Sequence, residues 1–330
     1  MTQQEITLLN LGNSLDDIAN IDPRGYGVCK LLYKASREYT GAPLCLNSAR
    51  KLIDSVKEND RVFIMTGFVL MPFNKAETDG AISSFLLAKA MKNAFGAKPV
   101  IICPEDCLSG FSVLSKTFDF DVDIEVFTKE KSKAEECADR LIKKYNPSAV
   151  ISIECPGENE NGIYHSARGI NVTEVEAKQD ILFEKLKNSG ILNIAIGDLG
   201  NEIGMGTIEN QIKSKIPLGD KICVRTKADN IITATVSDWG CYSLIAMLAY
   251  ILENPDIMHG AEEEKQALES AAEGGLVDMY GESIPAIDGF GEELICSMVT
   301  VMKQLVVNAL SLKETCKPHF DEIIKLRSFE

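Results

Sequence analysis

The chain has 330 residues, 45% of them apolar, and it shows no apolar run of the roughly 20 residues that a bilayer span needs. Its 49 acidic residues outnumber 34 basic ones, and a net charge of -15 argues against nucleic acid or a membrane surface as partner. The N-terminal MTQQEITLLN lacks the basic region of a signal peptide, and ten cysteines without a Cys-x-x-Cys pair suit reduced thiols, so the expected location is cytoplasmic.

Residues 1–60 read as a helical N-terminal segment, with Leu8, Leu9, Leu11, Leu15 and Ile18 forming an apolar face before the turn Asp22-Pro23-Arg24-Gly25. From Arg61 short apolar runs alternate with amphipathic stretches, the pattern of βαβ units. Strands are predicted at 61–66, 99–103, 121–127, 149–154, 193–197 and 230–236. Helices are predicted at 80–95, 107–116, 131–145, 174–188, 202–213, 239–252, 261–273 and 292–312. With no internal repeat or clear linker, the expectation is a single α/β domain. Its mainly parallel doubly wound sheet, a three-layer α/β/α core over 61–240, carries additional N-terminal helices and C-terminal helices over 241–330.

Ligands of open α/β sheets bind beyond the carboxyl ends of the strands, and four polar stretches fall there. They are Thr66-Gly67-Phe68 leading to Glu77-Thr78-Asp79-Gly80, then Glu154 followed by Tyr164, His165 and Arg168. The third is Gly197-Asp198 with Asn201 and Glu202, and the fourth is Ser237-Asp238-Trp239-Gly240. Glu77, Asp79, Glu154, Asp198 and Glu202 would share one crevice, where like charges raise one another's pKa unless a cation compensates. Oxygen-rich ligands with little histidine favour Mg²⁺ or Mn²⁺ over zinc. Taken singly, each acid is as readily a helix cap or a solvated loop charge. The glycine-rich ILNIAIGDLGNEIGMG (191–206) fits neither the dinucleotide spacing nor a P-loop, so no nucleotide cofactor is expected.

Several blocks together resemble the D-glutamate cyclase family: DPRG (22–25), TGF (66–68), ETDG (77–80), NGIYHSARG (161–169), IGDLGNEIGMG (196–206), VSDWGCYSL (236–244) and Asp288-Gly289. Leu199 stands where the family pattern has glycine, and Asp238 where it has asparagine. The resemblance implies that an acidic amino acid is the small-molecule substrate, D-glutamate closing to 5-oxo-D-proline with loss of water. It assigns Asp79, Asp198, Glu202 and Glu77 to a divalent metal, Mg²⁺ or Mn²⁺, and Glu154 or His165 to proton transfer. Arg168, with Arg24 as second choice, would hold the α-carboxylate. Thr66, Gly67, Asn201, Gly204 and Trp239 complete the substrate-binding candidates, and amides of the glycine-rich turn would stabilise developing negative charge. A metal-dependent phosphatase or hydrolase, or a non-catalytic small-ligand binder, are the alternatives, and a homo-oligomer stays open.

Overall fold

The computed structural model describes residues 3–312 and Glu322; the remainder of the expected C-terminal segment, His319 included, lies outside the described residues. Three helices lead the chain, α1 (Gln3–Ala19), α2 (Val28–Thr40) and α3 (Leu44–Ser55). Cys29, Leu32, Ala35 and Ser36 recur at helical spacing and bury one face of α2. The buried carboxylate of Asp16 in α1 accepts from Leu44 N at 2.6 Å and Cys45 N at 3.1 Å, so one helix supplies the cap of another.

The α/β core begins with β1 (Arg61–Met65), a hairpin of β2 (Val69–Leu70) and β3 (Lys75–Ala76), α4 (Ala81–Phe95) and β4 (Lys98–Cys103). It continues through α5 (Leu108–Phe118), β5 (Asp123–Val126), α6 (Lys131–Tyr145), β6 (Ala149–Ile153), α7 (Asp180–Asn188) and β7 (Leu192–Gly197). Short helices α8 (Glu209–Lys215) and α9 (Gly219–Ile222) precede β8 (Asn230–Thr233), and α10 (Ser237–Ile251) follows it. Then come α11 (Ala261–Glu273), a hairpin of β9 (Ala286–Ile287) and β10 (Phe290–Gly291), and α12 (Glu292–Ser311).

The six long strands form one parallel sheet in the order β5-β4-β1-β6-β7-β8. Alternate residues serve opposite layers, as the pleat requires. Val62, Ile64, Ile101 and Ile151 pack with α4 and α10, whereas Phe63, Met65, Val100 and Val150 pack with α2, α6 and α7. The expected three-layer doubly wound fold is present. Chain order reverses between β1 and β6, so a crevice opens beyond their carboxyl ends.

Two predicted helices start late. The helix expected from 174 begins at Asp180, because Glu176 and Lys178 turn their side chains onto backbone groups: Val69 N donates to Glu176, and Lys178 Nζ donates to Glu176 O at 2.6 Å. The one expected from 202 begins at Glu209, because Glu202 is bonded to the amides of the preceding turn. α12 has the length and apolar content of a membrane span; Ile295, Met298, Val299, Met302 and Val306 bury one side of it in the core.

Candidate functional site

The crevice is built across the point where the sheet reverses. Gly67 N, just past β1, donates to Glu154 O at 3.2 Å, just past β6. Glu154 holds φ 43°, a left-handed conformation uncommon for a residue with a side chain, and its carboxylate accepts Ser237 Oγ at 2.5 Å. Gly80 (φ 75°) faces it so closely that a Cβ would lie 2.6 Å from Glu154 Cβ and 2.7 Å from Thr66 Oγ1. Glycine is what lets the start of α4 approach the end of β6.

Asp198 is the centre of the acidic floor. One carboxylate oxygen from each of Asp79, Asp198 and Asp288 lies within 4.8 Å of the others, and the same holds for Glu154, Asp198 and Glu202. Asp198 therefore belongs to two overlapping triads. Burial, followed by the charge of a neighbouring carboxylate, raises Glu77, Asp79, Glu154 and Asp198 well above the ordinary range. Asp198 Oδ1, Asn201 Oδ1 and Thr66 Oγ1 are buried without a hydrogen-bond partner among the described residues. Hard oxygen donors, mutual repulsion and an unpartnered carboxylate oxygen fit a divalent cation such as Mg²⁺ or Mn²⁺.

A cleft of about 270 Å³ lies over this floor. Of the predicted residues, Glu77, Glu154, Arg168, Asp198 and Asn201 line it, and Asp79 and Glu202 stand against Asp198. Arg168 is exposed at the rim and makes no ion pair among the described residues. Thr66 and Gly67 lie beside Glu154 in the wall behind.

Four assignments and one expected role change. His165 turns its ring away from the cleft, to Asn159 Nδ2 at 3.4 Å; only its carbonyl reaches the site, accepting Asn201 Nδ2 at 3.2 Å. Burial and the charge of Lys221 lower its pKa, and the ring braces the loop against Asn159. Arg24 does clamp a carboxylate, but it belongs to Asp288, at 2.6 Å, with the guanidinium over the Phe290 ring. Trp239 is fully buried and stacks on that same ring, 5.4 Å between centroids, beneath the site. Gly204 (φ 91°) packs on Ala195, where a Cβ would sit 2.2 Å from Ala195 Cβ. Finally, the glycine-rich turn presents its amides inward: Leu199 N and Gly200 N each donate to Glu202 at 2.7 Å, and Asp198 N at 3.3 Å. Glu202 fills the anion nest that was expected to face a ligand.

Two site acids were not in the predicted set. Asp288 (φ 58°) and Gly289 (φ 79°) form the two-residue turn between β9 and β10, and an Asp-Gly pair between apolar residues is a strong hairpin signal. Glu176 lines the cleft fully buried, its carboxyl pushed up to about 8 by burial; it sits in a stretch with helical patterning, and no local signal marks it.

Fold and site together define a three-layer α/β protein with an acidic cleft at the turning point of a parallel sheet. A family model described as D-glutamate cyclase-like, C-terminal, matches residues 15–303, and the chain belongs to that family. It is similar to human mitochondrial D-glutamate cyclase, at 30% identity over 254 residues, which are 72% of this chain and 38% of the relative. The chain thus spans well under half the length of that curated relative.

Proposed function

We propose that the cleft closes D-glutamate to 5-oxo-D-proline, with loss of water. The amine nitrogen attacks the substrate's own γ-carboxyl carbon, a C–N bond forms, and a C–O bond breaks. The observation that carries this reading is the pair of carboxylate triads sharing Asp198, set in a cleft whose one unpaired cation is Arg168 among the described residues.

A divalent cation held by Asp198 with Asp79, Asp288 and Glu202 would act as a Lewis acid toward the γ-carboxylate, leaving Glu154 beside it free to carry a proton. Glu154 lies on the cleft wall with a raised proton affinity, which suits it to take the ammonium proton and to return one to the departing oxygen. Ser237 fixes its carboxylate orientation. Asn201, anchored by His165 O, offers its free Oδ1 to the amine. Arg168 pairs with the α-carboxylate at the rim, which brings the two reacting ends of the substrate to the floor. Folding the chain into a five-membered ring needs that pre-alignment more than it needs a strong nucleophile.

The test is incubation of purified protein with D-glutamate, L-glutamate and a generic phosphate monoester, each with Mn²⁺ or with EDTA. Metal-dependent 5-oxoproline from D-glutamate is expected. Its absence under every metal condition overturns the proposal, and phosphate release would redirect it to hydrolysis.

A further inference from the structure

The cleft has two chemically different halves. Its floor is acidic, whereas its walls are apolar and come from Phe68, Leu70, Met71, Phe73, Met279 and Tyr280. Burying apolar groups is how folded chains gain stability, yet Met71, Phe73, Ile170 and Tyr280 around this mouth remain 39%, 42%, 47% and 61% exposed. The tip of the β2–β3 hairpin meets the opposite wall at Gly281, whose Cβ would lie 2.5 Å from the Phe73 ring. Leu199, between Asp198 and Asn201, adds a further apolar side chain to the lining. Met71 and Val172 also line a second hollow, of about 520 Å³, so the apolar surface continues outward from the acidic floor.

A free glutamate that sends its amine and γ-carboxyl to the floor leaves its charged α-carboxylate against this wall. Desolvating a carboxylate there is unfavourable, and Arg168 at the rim is its one cationic partner in the cleft among the described residues. An apolar group at the same place buries surface instead.

Resting on the cyclase reading, we infer that the preferred substrate is a D-glutamyl compound whose α-carboxyl carries an apolar amide substituent of about leucine size. The chemistry is unchanged: the free amine attacks the γ-carboxyl carbon, water leaves, the α-amide is untouched, and the product is a 5-oxoprolyl amide. A leucyl substituent lays its side chain along Phe68, Met71 and Phe73 and turns its own carboxylate outward to Arg168.

The experiment compares kcat/KM for D-glutamate and for D-glutamyl-L-leucine with the Mn²⁺-supplemented protein, in wild type and in the variants Phe73→Ser and Leu199→Gly. The leucyl compound is expected to win by about tenfold or more, mainly through KM, and the ratio should fall toward one in both variants. Equal or better turnover of D-glutamate by wild type overturns the inference while leaving the cyclase reading intact. Turnover of neither compound removes both. A Phe73→Ser protein that changes its oligomeric size by exclusion chromatography, with the ratio unmoved, makes the rim a contact between copies and overturns the inference as well.

Discussion

Asp79 and Asp238 each cap the helix that the other begins. Asp79 accepts from Ser237 N at 3.3 Å and Asp238 N at 3.0 Å at the start of α10, and Asp238 accepts from Gly80 N at 2.8 Å and Ser83 N at 3.4 Å at the start of α4. The exchange locks two helix N-termini side by side and points both positive dipole ends at the acidic floor.

Replacing Asp238→Ala removes the two hydrogen bonds that cap α4, leaves the Asp79 cap of α10 in place, and should destabilise the fold by about 1–3 kcal/mol. Asp238→Asn keeps the acceptor oxygen and removes a carboxyl that burial pushes up to about 7. It is expected to be at least as stable as wild type at pH 8. Urea unfolding of both variants checks this; equal loss in the two would dismiss the capping role.

Asp198 belongs to both carboxylate triads, so Asp198→Asn should abolish metal binding and product formation together. Elemental analysis after dialysis and a 5-oxoproline assay measure the two. Unchanged metal content would move the cation elsewhere.

Glu154→Gln retains an acceptor for Ser237 Oγ and loses the proton-transfer group. A fall in kcat of about 10²–10⁴, with little change in KM, is expected from steady-state kinetics. His165→Asn, by contrast, should lower kcat less than tenfold, since the ring faces Asn159. A larger loss for His165 than for Glu154 would reverse the assignment.

Glu176 gives a pH-dependent stability of defined sign. Its folded carboxyl titrates near 8, above the ordinary 4.5 of the unfolded chain. The folded state therefore binds the extra proton, and the contribution is full below pH 4.5 and is lost as pH rises through 8. Glu176→Gln keeps an acceptor for Val69 N and is neutral throughout. Relative to wild type it should gain stability from pH 6 to pH 9, on the order of a few kcal/mol. Parallel pH slopes for the two proteins would contradict this.

The sheet was readable because β1, β4, β6, β7 and β8 are short, mainly apolar stretches buried at nearly every position, the signature of strands covered on both faces. Strand ends in turn located Glu154, Asp198 and the Asp79 turn, since a parallel sheet fixes where loops converge. Side-chain direction was not readable. His165 and Arg168 are three residues apart in one irregular loop, and only the fold decides that the first turns inward to Asn159 and the second outward to the rim. Arg24 and Asp288 are 264 positions apart, and no local pattern announces such a pairing.

The glycine-rich turn carries its own anion. With Leu199 N and Gly200 N held at 2.7 Å by Glu202, the shape of the turn is set by bonds made within it. A ligand that arrives over Asp198 meets a surface already set, so little ordering entropy opposes association and the turn contributes rigidity in place of adaptability. Loosening it with Glu202→Ala would convert a fixed template into one that each ligand must shape for itself.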